Sequence, residues 1–189
     1  LWIATLMFLA GLGVFRFLRA WRLPLAGAAI AALVYQLSPY LLPYISRTSV
    51  MLLPWAALGW LLLLTMRAVR DGGWRAPALI ALVACTAAAV NATAFAAILP
   101  APVMWVILEW RAGRLHPRQV AAATARIGLL VGATALWWVT ALSLQRRYGA
   151  DVLGYSETLD AVTYTSNSVE VMRGLAYWLF YVKDPYAAA

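Results

Sequence analysis

Apolar residues in this chain come in long blocks rather than in alternation. Runs at 1–15, 23–37, 50–66, 77–90, 98–110 and 127–144 are separated by short polar stretches. Crossing a hydrocarbon layer of about 30 Å takes roughly 20 residues of helix, so blocks of this kind predict transmembrane segments. Lipid offers the backbone no hydrogen-bond partner, and the expected fold class is an all-α membrane protein, a polytopic transmembrane helix bundle. The second run stops where Pro39 and Pro43 remove backbone donors, and Pro54 sits in the first turn of the third, where a missing N–H matters least. The fourth run is short for a crossing. Asn91-Ala92-Thr93 interrupts it, and together with 98–110 it reads as a helical hairpin that does not span fully. About six spans then fill a core at 1–144, and 145–189 forms a polar loop outside it. Asn167 followed by Glu170 marks a helix start. That helix is expected to run to Val182, with Tyr177, Trp178, Phe180 and Tyr181 holding it at the interface.

Composition agrees. The 189 residues are 65% hydrophobic and 12% charged, against roughly 25% charged in soluble domains. The single cysteine, Cys85, supports neither an internal disulfide nor a thiolate metal cluster. A net charge of +8 raises the possibility of nucleic acid, but the arginines are dispersed through short loops, a topological pattern that excludes that partner. Arg16, Arg19, Arg22, Arg67, Arg70, Arg75, Arg111, Arg114, Arg118 and Arg126, ten of the fifteen basic residues, follow the first, third and fifth runs. The positive-inside rule makes that side cytoplasmic. The polar turn at 38–49 and the segment from Gln145 then share the outer face. Leu1 opens directly in an apolar run, so the chain reads as a piece of a longer protein. No role is read for Ala187, Ala188 and Ala189.

Acidic residues are concentrated in the outer segment. Only Asp71 and Glu109 precede it, whereas Asp151, Glu157, Asp160, Glu170 and Asp184 lie within it. Glu157 and Asp160, three apart, fall on one helical face, where a pair can bind sugar hydroxyls, deprotonate one, or share a cation. The competing reading is a solvated loop with ordinary surface acids. Arg47, flanked by Ser46, Thr48 and Ser49, suits a phosphate, because a guanidinium bonds it in bidentate fashion. Snorkelling to the headgroups is its competing role. Arg146, Arg147 and Arg173 are weaker signals of the same kind. Tyr40, Tyr44, Trp55, Tyr155 and Tyr164 are placed facing the outer cavity, where rings stack on sugars. His116 has no nearby carboxylate and is left as a surface residue. The residues alone also admit a transporter or flippase for a lipid-linked envelope precursor. Such proteins carry ionisable residues near the midplane of broken helices, and these runs carry almost none.

Two stretches carry a resemblance: Ser46-Arg47-Thr48-Ser49-Val50-Met51-Leu52-Leu53-Pro54-Trp55, and Gly154-Tyr155-Ser156-Glu157-Thr158 with Tyr177-Trp178-Leu179-Phe180-Tyr181. They resemble the membrane core of the large mycobacterial α-(1→3)-arabinofuranosyltransferases of the AftD type, multi-pass glycosyltransferases of the GT-C class. The resemblance implies a multi-pass cell-membrane protein with its active face extracytoplasmic. It implies a decaprenyl-phosphoryl-arabinose donor, an arabinan acceptor of the cell envelope, and inversion at the anomeric carbon. Glu157 is then the expected catalytic carboxylate, with Arg47, Asp160, Tyr44, Tyr155 and Arg173 binding substrate. No cofactor is assigned; the transfer is either metal-independent or assisted by a divalent cation. The family's first outer-loop acid is expected upstream of Leu1. An acyl carrier protein is the implied partner of the basic cytoplasmic loops.

Overall fold

The computed structural model describes residues 1–38, 41, 52–90, 92–149 and 168–172. Every element among them is a helix: α1 (Trp2–Ala20), α2 (Leu25–Gln36), α3 (Leu52–Arg70), α4 (Arg75–Val90), α5 (Ala92–Ile98), α6 (Pro100–Arg111), α7 (Pro117–Tyr148) and α8 (Ser168–Met172). Four segments are long and apolar enough to cross a membrane: Trp2–Ala20, Leu52–Arg70, Thr93–Arg111 and Pro117–Tyr148. The helices at Leu25–Gln36 and Arg75–Ala88 are shorter.

α3 is the centre of the bundle. It packs on α1, α4, α5, α6 and α7, and α4 in turn packs on α7. The reason is compositional: α3 is apolar on all sides, and its small residues let a neighbour approach closely. α1 crosses it backbone to backbone where Gly13 faces Gly59. A β-carbon on Gly59 would meet the Val14 amide nitrogen and the Gly13 carbonyl carbon. One on Gly13 would lie 2.8 Å from the Trp60 ring. The Trp60 indole N–H donates to the Leu9 carbonyl at 2.9 Å, and the Arg16 guanidinium lies 5.6 Å from the Trp60 ring centre.

Two apolar clusters result. The larger joins Phe17 to the second half of α3, then to α4, Phe95, Trp105 and Ala123. The smaller joins Leu6, Ala10, Leu41, Leu52 and Ala56, with Tyr35, Leu53 and Trp55 packed against it. The ends of α1, α3 and α6 that carry Arg22, Arg70 and Arg114 therefore gather at one end of the bundle. The end of α2 and the start of α3 lie at the opposite end, towards which α7 also runs. α7 presents an apolar face, including Leu129, Leu136, Trp137 and Leu142, that no described residue covers.

Local boundaries differ from the pattern in three places. α1 continues through Arg16 and Arg19, which the pattern puts in a solvated loop, because no breaker precedes Pro24 and arginine is a good helix former. Arg19 then donates from Nη1 to the Leu23 carbonyl at 2.7 Å, tying the helix to the loop that follows it. The segment from Thr93 to Arg111 is long enough to span, although the pattern reads 98–110 as one arm of a hairpin that does not span fully. Leu99 keeps a right-handed helical conformation (φ −61°, ψ −32°), and Pro100 opens α6 where its missing N–H costs least. α7 extends to Tyr148, one turn beyond Leu144.

Candidate functional site

The described residues build two features with chemical potential, one polar and one apolar. The polar one forms at the arginine-bearing end. Glu109, near the end of α6, is 1% exposed and is the buried charged residue among those described. Such a carboxylate is costly unless paired and fully bonded. Arg70, in the last turn of α3, donates from Nη2 to Oε2 at 2.9 Å. Arg114, just past the turn that ends α6, forks Nε (3.0 Å) and Nη2 (2.7 Å) onto Oε1. Its hydrogen bond to the Glu109 carboxylate holds the Arg114 guanidinium above its ordinary pKa. Arg70 also lies 5.4 Å from the centre of the Trp105 ring, a cation–π contact. Beside this node is a cleft of about 610 Å³ lined by Trp21, Arg22, Arg70, Glu109, Arg114, Leu115 and Gln119.

The pattern of runs did not reveal this node. Glu109 was visible only as a lone acid inside an apolar run. Its partner Arg70 is 39 positions away, beyond the reach of any local periodicity. Glu109→Ala is expected to lower the thermal midpoint of the detergent-solubilised protein by roughly 5 °C. The two guanidiniums would lose their partner, although both are exposed enough to stay hydrated. Differential scanning fluorimetry checks this, and an unchanged midpoint would mean that the node adds nothing to stability.

The apolar feature is a groove between α7 and the α3–α6 side of the bundle. One part, of about 460 Å³, is lined by residues including Leu61, Ile80, Val106 and Gly128. The next part, of about 260 Å³, reaches Cys85, Thr134 and Trp138. Ala84, Phe95, Leu99 and Val131 line both, so the two are continuous. Thr134 spends its hydroxyl on the Leu130 and Val131 carbonyls of its own helix, and apart from Thr65, Thr124 and Cys85 the rest of the wall is apolar.

The site residues expected from sequence, Tyr44, Arg47, Tyr155, Glu157, Asp160 and Arg173, lie outside the described residues, as do Tyr40 and Tyr164. Trp55 is described. It is half-buried and stacks on Tyr35 with ring centres 5.1 Å apart, while the Tyr35 hydroxyl donates to the Trp55 carbonyl at 2.8 Å. One face of that indole is therefore already occupied. Arg147 lies over the Tyr148 ring at 5.7 Å, and both Arg146 and Arg147 are exposed at the end of α7. His116 is exposed and caps α7, its backbone N–H donating to Gln119 Oε1 at 3.1 Å in a reciprocal capping box.

An all-helical membrane bundle with a hydrocarbon groove narrows the class of protein without naming it. The family model described as "Alpha-(1->3)-arabinofuranosyltransferase, N-terminal GT-C domain" matches residues 1–189. The chain belongs to this family. The AftD-type resemblance read from two short stretches is thereby borne out over the whole chain. An α-(1→3)-arabinofuranosyltransferase of Mycobacterium tuberculosis is 32% identical over 190 residues, covering 96% of this chain. The chain spans 13% of that protein's length. No solved structure matches. Membership in the GT-C family and the apolar helices together make this a multi-pass membrane protein.

Proposed function

We propose that this chain is the lipid-embedded part of an arabinofuranosyltransferase that takes its sugar from a polyprenyl-phosphate donor and delivers it to an arabinan acceptor. The observation that carries the reading is the continuous hydrocarbon groove, in a chain matched throughout by a GT-C family model. A polyprenyl tail has no polar group to satisfy, and a wall made mostly of alkyl and aromatic side chains suits it. The donor's phosphate and sugar then sit at the end of the bundle away from the paired arginines, on the extracytoplasmic face of the cell membrane. There the acceptor hydroxyl attacks the anomeric carbon from the side opposite the phosphate. Its proton passes to Glu157, the bond from the anomeric carbon to the phosphate oxygen breaks, and polyprenyl phosphate leaves. Arg47 and Arg173 balance the charge that develops on that phosphate, as preorganised donors do. Asp160, Tyr44 and Tyr155 hold the sugars. The exposed arginines of the opposite face suit the acidic surface of an acyl carrier protein. Support for placing the two polar segments together comes from their described flanks: the end of α2, the start of α3 and the end of α7 all face away from Arg22, Arg70 and Arg114.

Gly128 supplies the test of the groove. It lines the groove, and nothing lies within 4 Å of a β-carbon built on it, so a larger side chain enters empty space. Gly128→Phe is expected to raise the KM for a long-chain donor about tenfold, the equivalent of excluding two methylenes at about 0.8 kcal/mol each. The KM for a short-chain donor should hardly move. Equal effects on both donors would place the tail elsewhere.

A further inference from the structure

Two helix ends meet the cleft beside Glu109, and they close with the same hydrogen bonds. After α1, the Arg22 N–H donates to the Arg19 carbonyl and the Leu23 N–H to the Leu18 carbonyl, both at 3.0 Å. After α6, the Gly113 N–H donates to the Trp110 carbonyl at 2.9 Å and the Arg114 N–H to the Glu109 carbonyl at 3.0 Å. Both are Schellman closures, which put the residue after the cap in the left-handed region. Gly113 occupies that position at φ 70°, as the missing β-carbon allows. Arg22 occupies it at φ 68° and is the single non-glycine residue with positive φ among the described residues. A β-carbon disfavours that conformation. One of two equivalent turns thus keeps an arginine where glycine is the better fit.

Local structure does not account for the arginine. The carbonyl end of α1 is already served by the backbone N–H groups of Trp21, Arg22 and Leu23, which donate to Phe17, Arg19 and Leu18. The Arg22 guanidinium has no hydrogen-bond or ion-pair partner among the described residues. It lines the cleft with Arg70 and Arg114, whose shared carboxylate has both oxygens taken. Three guanidiniums thus face about 610 Å³ with one carboxylate between them. That volume lies within the roughly 300–1,000 Å³ usual for small-ligand sites. Trp21 lines the cleft and is itself exposed, as are Leu25 and Trp110 a few residues from the lining in sequence. Indoles at the ends of apolar helices mark headgroup depth.

We infer that this cleft binds the phosphate of an anionic phospholipid headgroup, with Arg22 as the recognising side chain and the Arg70–Glu109–Arg114 node as its fixed wall. Basic pockets between transmembrane helices bind such headgroups by charge and guanidinium geometry. The acyl chains then lie along the exposed apolar helix surfaces beside the rim, which favours a lipid over free phosphate. The inference stands apart from the transfer reading, because lipid binding is measured without donor or acceptor.

The test measures binding of phosphatidylglycerol and phosphatidylcholine in mixed nonionic micelles to the purified protein. Phosphatidylglycerol is expected to bind at least tenfold more tightly than phosphatidylcholine, with an affinity that falls as salt rises. Arg22→Gly is expected to weaken phosphatidylglycerol binding about fivefold. Its melting temperature should be equal to or above the parent's, since glycine relieves the turn. That combination separates recognition from misfolding. Arg111→Gln, outside the cleft, should leave lipid affinity unchanged. Undiminished phosphatidylglycerol binding by Arg22→Gly would overturn the inference. Displacement of the lipid by millimolar inorganic phosphate would overturn it in favour of the free ion. Loss of binding to an acidic soluble protein, with lipid affinity intact, would overturn it in favour of protein docking.

Discussion

Glu157→Gln is expected to cut arabinosyl transfer by about 10²–10⁴-fold, the range a positioned general base contributes. The substitution keeps the shape of the side chain and removes its ability to accept the acceptor's proton. Membrane insertion and thermal stability should match the parent, because glutamine keeps the size and shape of glutamate. The measurement is transfer of labelled arabinose from a polyprenyl-phosphate donor, read beside the melting curve. Asp160→Asn provides the comparison. A residue that holds the sugar without moving the proton should raise KM more than it lowers kcat. Parental activity in Glu157→Gln would remove that carboxylate from the chemistry and leave Asp160 as the acid to examine.

Gly59→Leu should have the largest effect on folding. The helices α1 and α3 touch through their backbones at this point, and the atoms a new side chain meets belong to Val14 and Gly13 main chain. Backbone cannot rotate aside as a side chain can, so the helices must separate along their most extensive contact. Overpacking of this kind costs about 3 kcal/mol. Separation would also break the bond from the Trp60 indole to the Leu9 carbonyl. Gly27→Ala is the matched control, since a β-carbon there meets nothing within 4 Å. It should stabilise α2 by up to about 1 kcal/mol through helix propensity. Circular dichroism melts and size-exclusion profiles distinguish the two. Parental behaviour by Gly59→Leu would mean that α1 and α3 do not cross as described.

Residue pattern alone revealed the bundle because each span announces itself locally. Runs of Leu, Ala and Val need no distant partner to read as helix, while Asn91, where the pattern puts a break, lies outside the described residues. What the pattern hid depends on distance or on competing signals. Arg16 and Arg19 carry charge, which argues for a loop, but they sit on a helix that runs on to Ala20. Glu109 becomes meaningful only when folding brings Arg70 to it. Trp55 looked free to stack on a sugar, but Tyr35 from the preceding helix takes one of its faces. The groove was illegible for a related reason: Ala84, Phe95, Leu99 and Val131 are ordinary apolar residues until α4, α5, the junction before α6 and α7 line them up. Glu157, Arg47 and the other expected site residues lie outside the described residues.

The turn at Leu99 has one further consequence. Pro100 and Pro102 carry no amide hydrogen, so the Ile98 carbonyl loses its usual donor, and the bond from the Val103 N–H to the Leu99 carbonyl is stretched to 3.4 Å. The helix is weakest where Leu99 and Pro102 form part of the groove wall. It articulates there at less cost than in an uninterrupted turn, and a bend at that point reshapes the groove wall.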